Sequence, residues 1–161
     1  MAGALEPQFS ANADTGKLGV SLSPLLVTNG GRWSLSVEGQ ALEREFKFKT
    51  FAKTWLYQDF MTAVSLQCKL KNHHPEWSNV FNTTFIRWTT HHPKGLSEKD
   101  IELAAICDKL ATDFGELAVE GLQGQQQEQQ QQQQGEACGL PGLANRAVGS
   151  AGDCCVPKSA K

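Results

Sequence analysis

The chain is poor in the features that mark several large classes of protein. Its 15 Lys and Arg are outnumbered by 17 Asp and Glu, giving a net charge of -2 and a pI near 6.1. Without a basic excess it is not built as a general binder of nucleic acid or of anionic membrane surfaces. No apolar run approaches the ~20 residues of a membrane-spanning helix, and the N-terminus lacks a basic stretch followed by a hydrophobic one. These absences predict a soluble, cytoplasmic protein with no membrane contact. Regular cysteine spacing is missing too. Cys68 and Cys107 fall in helical patterns and Cys138, Cys154 and Cys155 in a polar tail, so the five cysteines read as free thiols. HExxH, CxxC and histidines spaced i, i+4 on a helix are also lacking, which removes the usual signatures of a metal centre.

At 161 residues and 40% hydrophobic, the chain has room for one modest domain plus tails. Residues 1–19 are Gly-, Ala-, Asn- and Ser-bearing without periodicity and read as a flexible lead. Residues 20–118 carry the foldable patterning. In 119–161, Gln123 to Gln134 is glutamine interrupted only by Gly124 and Glu128, and Gly135 to Lys161 is rich in small residues. Such a tail cannot bury enough surface to offset the entropy of ordering, so disorder is expected there.

Within the domain, Val20, Leu22, Leu25, Leu26 and Val27 before Asn29-Gly30-Gly31 predict a short helix with Pro24 in its first turn. Trp33 to Val37 and Leu42 to Phe48 alternate with period two around Glu38-Gly39-Gln40, a hairpin. Phe51 to Leu70 runs without Gly or Pro as a helix. It carries a stripe at Ala52, Leu56, Phe60, Ala63, Val64 and Cys68 and further apolar residues at Phe51, Trp55, Tyr57, Met61 and Leu66. An apolar second face predicts burial against a partner subunit. Trp77 to Phe81 and Thr84 to Thr90 form a second hairpin around Asn82-Thr83. Ser97 then caps a helix to about Ala118, with Asp100 as the acid of a capping box. The order predicts an α+β domain, a four-stranded antiparallel sheet with helices packed on one face.

All four histidines fall in one stretch, as His73-His74-Pro75 and His91-His92-Pro93. Histidine takes and gives a proton near neutrality, so two such clusters at the ends of one hairpin suggest a proton-transfer site. Antiparallel pairing would bring the end before Trp77, near His73, beside the end after Thr90, at His91. Two other readings stay open on the residues alone. The pairs could be polar loop surface punctuated by proline. They could ligate metal, although adjacent histidines in an extended segment point apart and chelate poorly.

The stretch also resembles a known family. Lys69, His73-His74-Pro75, Phe81, His91 and Asp100, with Trp33, Arg44 to Phe48, Phe51, Glu76-Trp77, Asn79-Val80, Thr90, Gly95-Leu96-Ser97 and Ala104 around them, are similar to the pterin-4a-carbinolamine dehydratase signature from about Gly31 to Leu117. The resemblance implies a dehydratase that converts 4a-hydroxytetrahydropterin to quinonoid dihydropterin and water, in tetrahydrobiopterin recycling, with neither metal nor cofactor. It implies His73 and His91 as the proton-transfer pair and His74 as a hydrogen-bonding holder of the pterin. Pro75, Thr90, His92, Pro93 and Asp100 would shape the pocket, and Trp77 or Phe81 would pack near the flat ring. His92 and Pro93 lie outside the signature. The resemblance further implies a homodimer or homotetramer. Some relatives serve as dimerisation cofactors of a transcription factor or as assembly modules, which adds the nucleus as a second location and a non-catalytic alternative.

Overall fold

Strict alternation decides which way the central strands face. In β2 (Leu42–Lys47), Leu42, Arg44 and Phe46 are buried while Glu43, Glu45 and Lys47 are not. β4 (Thr83–Trp88) pairs with it antiparallel, so that Arg44 stands opposite Ile86 and Phe46 opposite Thr84. β1 (Ser34–Leu35) pairs with the other edge of β2, and β3 (Glu76–Val80) with β4, giving a four-stranded antiparallel sheet in the order β1-β2-β4-β3. α1 (Thr15–Leu22), α2 (Thr54–Lys71) and α3 (Glu98–Asp113) complete the α+β fold and pack against the sheet. A computed structural model describes residues 5–11, 13–49, 54–117, 140–142 and 144–145, with backbone alone over 54–59.

The sheet meets the helices through an aromatic layer. Phe60 of α2 sits 5.1 Å from Phe46, 5.5 Å from Phe48 and 6.4 Å from Phe114, and Trp33 meets Phe46 edge-on at 5.7 Å. Leu22, Trp88, Leu103 and Ala104 fill the space around it, all at 1% exposure or less. Burying side chains of this size contributes roughly 1.5–3 kcal/mol each. One cation lies within this apolar face. The Arg44 guanidinium stacks over Phe46 at 4.1 Å, pairs with Asp108 and reaches Glu116 at 2.5 Å, while Trp33 Nε1 donates to Asp108 at 2.8 Å. Arg44 therefore ties β2 to α3 and to the segment that follows it.

The N-terminal region departs from its sequence reading. The helix starts earlier, at Thr15, because Asp14 accepts from the Lys17 amide at 3.0 Å as N-cap and Leu18 and Leu22, four apart, bury together. It stops before Pro24, and Leu25 and Val27 fall in two short 3₁₀ turns, Ser23–Leu25 and Val27–Asn29, on either side of the extended Leu26, the second closed by Gly30 in the left-handed conformation. Gln8 and Ser10, expected to be flexible, instead hydrogen-bond through their main chain to Leu96 and, from Gln8, to Gly39. Other boundaries shift by a few residues: β1 is shorter, and the second hairpin turns at Phe81-Asn82 with Thr83 already paired to Val80. Phe51, the side chains of Trp55, Leu56 and Tyr57, the glutamine tract, and Cys138, Cys154 and Cys155 lie outside the described residues. Among the described residues no helix is long and apolar enough to cross a membrane.

Removing the guanidinium while leaving both carboxylates should be costly. Arg44→Ala is expected to lower the unfolding free energy by about 3–5 kcal/mol. Urea denaturation checks this, and a loss below about 1 kcal/mol, the value of a surface pair, would contradict the packing described.

Candidate functional site

His73 is aimed by the way α2 ends. Asn72 takes a positive φ of 47°, the His73 N–H bonds the Cys68 carbonyl at 3.0 Å, and the Asn72 N–H bonds Lys69 at 3.3 Å. This is the Schellman arrangement, with asparagine tolerating the left-handed position better than most side chains. The chain leaves the helix sharply, and His73 lies parallel to fully buried Trp88, with centroids 5.9 Å apart and planes 18° apart.

His91 comes from the opposite end of the same hairpin. Glu76 pairs with Arg87 across β3 and β4, so the ends of the two strands lie side by side, as antiparallel pairing requires. Beyond β4, Thr90 and Gly95 exchange two backbone hydrogen bonds of 3.1 Å, closing a turn that holds His91, His92 and Pro93, with a cis bond between the last two. The rings of His74 and His91 then face each other 6.1 Å apart. A carboxylate stands behind His91: Glu76 Oε1 is 3.7 Å from its Nε2. The other Glu76 oxygen accepts from Arg87 at 3.0 Å, and Arg87 in turn donates to Glu43 at 2.7 Å.

Asp100 joins both histidine segments to α3. It is fully buried, and its Oδ1 lies 2.6 Å from His73 Nε2. Its Oδ2 accepts from the Ser97 N–H at 2.8 Å and receives the hydroxyls of Thr90 and Ser97 at 2.7 and 2.8 Å. Burial alone would raise this carboxyl. The His73 hydrogen bond, followed by those of Thr90 and the Ser97 amide, outweighs burial and holds Asp100 below the usual carboxylate range. An ionised Asp100 can only accept, so the proton of the short contact belongs to His73 Nε2, and in the neutral ring Nδ1 is left as an acceptor.

A cavity of about 960 Å³ opens over these groups, within the usual range for small-molecule sites. His73, His74, Thr90, His91, His92 and Pro93 all line it, together with Ser97 to Lys99 at the start of α3 and Ser10, Ala11, Ala13, Asp14, Lys17 and Leu18 of the lead. Four other candidates are placed elsewhere. Asp100 lies beneath His73 rather than on the wall, and Pro75 turns the chain into β3 away from it. Trp77, opposite Ile86, packs against the hydrophobic core. Phe81 sits at the hairpin tip, 59% exposed, at the far end of β3 from the histidines, because two turn residues were needed between Val80 and Thr83. Glu76 and the lead were not anticipated. Alternation of β3 against β4 could have flagged Glu76 opposite Arg87, whereas the lead has no periodic signal. Among the described residues no three His, Cys, Asp or Glu side chains are grouped to hold a metal ion.

Fold and cavity together define an α+β domain with a histidine-lined candidate acid–base site. The family described as Pterin 4 alpha carbinolamine dehydratase matches residues 21–110. A protein of Prochlorococcus marinus provisionally named pterin-4-alpha-carbinolamine dehydratase is 44% identical over 72 residues, 45% of this chain and 70% of that protein. One of Rhizobium meliloti with the same provisional name is 40% identical over 79 residues, 49% of this chain and 73% of that protein. A crystal structure from Brucella melitensis, described as a transcriptional coactivator/pterin dehydratase, superposes with a TM-score of 0.48 at 26% identity over 65% of this chain and 99% of that one. The chain belongs to the pterin-4a-carbinolamine dehydratase family.

Because the folded-state pKa of Asp100 is depressed, its contribution to stability is complete above the ordinary carboxylate value of about 4 and is lost as pH falls through the lower folded value. Asp100→Asn is therefore expected to cost about 1–3 kcal/mol at pH 7, with the gap from wild type closing in acid. Thermal melts at neutral and acidic pH test it. An equal deficit throughout, or none at pH 7, would contradict the assignment of an ionised Asp100.

Proposed function

We propose that the protein is a hydro-lyase that converts 4a-hydroxytetrahydropterin to quinonoid dihydropterin and water, in the recycling of tetrahydrobiopterin. The observation that carries this reading is the convergence of His73, His74 and His91 on one cavity with His73 backed by an ionised carboxylate. Family membership supplies the substrate class. The reaction breaks the bond between C4a and its hydroxyl and forms a double bond to N5. One proton must reach the departing hydroxyl and one must leave N5–H. With its Nε2–H held by Asp100, the neutral His73 ring offers Nδ1 to remove the N5 proton. His91, on the same cavity with Glu76 3.7 Å from its Nε2, is left to protonate the departing hydroxyl, and His74 holds the pterin by hydrogen bonding. Such positioned acid–base help contributes about 10²- to 10⁴-fold, and neither a metal nor a nucleotide is required for it. Thr90, His92 and Pro93 shape the rim.

The same reading includes self-association into a dimer or tetramer. Leu66 and Leu70 of α2 stand 55% and 76% exposed, a face that a second copy would cover. That face also supports the non-catalytic alternative, a dimerisation or transcription-factor cofactor with no direct contact to nucleic acid, active in the nucleus as well as the cytoplasm.

The two are separated by adding purified protein to freshly generated 4a-hydroxytetrahydropterin and following quinonoid dihydropterin by its absorbance. The wild type should accelerate dehydration, with His73→Ala and His91→Ala each losing about 10²-fold or more. Absence of acceleration by the wild type would leave the module reading in its place.

A further inference from the structure

The family match begins at residue 21, yet Ser10, Ala11, Ala13, Asp14 and Lys17 stand on the wall of the histidine cavity. Backbone bonds fix the lead there. The Gln8 N–H reaches the Gly39 carbonyl at 2.8 Å, the Leu96 N–H reaches Gln8 at 2.8 Å, and the Ser10 N–H reaches Leu96 at 2.9 Å. The Ser10 hydroxyl, on a residue 7% exposed, donates to the Pro93 carbonyl at 2.7 Å and so joins the lead to the turn that carries His91. Lead and loop touch main chain to main chain at Gly95, whose φ is 131° and where a Cβ would lie 2.7 Å from both Phe9 C and Ser10 N. Farther along, Lys17 bonds Glu98 of α3 at 2.9 Å across the rim.

These residues suit a different task from that of the histidines. C4a and N5 of a reduced pterin must face the imidazoles, so the substituent on the neighbouring C6 projects toward a wall the histidines do not build. The lead offers small side chains at Ala11 and Ala13, which leave room, beside a carboxylate at Asp14 and an ammonium at Lys17, which match hydroxyl groups. We propose that the lead is the specificity-determining wall of the cavity, accepting a hydroxylated side chain at C6 in preference to a bare methyl group. This inference rests on the dehydratase reading and adds to it the part of the substrate that is discriminated.

The test is steady-state kinetics on two 4a-hydroxytetrahydropterins, one with a 6-methyl and one with a 6-dihydroxypropyl group, using the full chain. Ala11→Phe narrows the wall at an exposed position, and Lys17→Ala removes the ammonium from a surface pair, so neither burdens folding. The ratio of kcat/KM for the hydroxylated over the methyl substrate should fall about tenfold in Ala11→Phe and about threefold in Lys17→Ala, with the loss mainly in KM. An unchanged ratio in both variants, whether both substrates suffer equally or neither does, overturns the proposal. A wild type that accelerates neither substrate overturns the dehydratase reading itself and this inference with it.

Discussion

The site depends on one buried carboxylate with three obligations. Asp100 caps α3 through the Ser97 amide, receives the Thr90 hydroxyl from the end of β4, and holds His73 as it leaves α2. A charge without water needs such partners, because an unpaired buried carboxylate would take up a proton and loosen all three connections. The capping box and the histidine support are thus a single interaction: the residue that starts the last helix also selects the tautomer of the candidate base.

Around this anchor the histidines are held in unequal ways. His73 is only 14% exposed at its side chain, stacked on Trp88 and bonded to Asp100. His91 is more open, 33% exposed, and its carboxylate Glu76 stands at the longer distance of 3.7 Å, oriented from behind by Arg87. In the proposed reaction a more buried ring and a more open one suit proton transfers that differ in geometry: removal from an atom in the ring plane, and delivery to a leaving group above it. The hairpin that carries both is kept in register by the buried Ile86 and Trp88 on one face, while the Glu43–Arg87–Glu76 ladder crosses the other.

Much of this was legible in the sequence, for identifiable reasons. Period-two alternation at Leu42, Arg44 and Phe46 and at Ile86 and Trp88 marked the paired strands, and their antiparallel pairing brings the ends that carry His73 and His91 to one cavity. Ser97 and Asp100 at capping-box spacing gave the start of α3. What remained hidden depends on tertiary contact. The lead has no periodicity, and its order comes from main-chain bonds to Leu96 and Gly39, which composition does not reveal. Pro24 and the Leu18–Leu22 pair together set where α1 runs, and the pattern from Val20 onward suggested a later helix. An aromatic near a histidine cluster in sequence is not an aromatic near it in space: Phe81 is carried to the distant hairpin tip, while Trp88, unassigned beforehand, lies under His73.

The claim on which the account turns is the protonation pattern of His73, and long-range ¹H–¹⁵N correlation spectra of the histidine rings read it directly. For the neutral ring, the account predicts a single Nε2–H tautomer at His73, lost in Asp100→Asn. A Nδ1–H tautomer, or fast averaging between the two in the wild type, would contradict it.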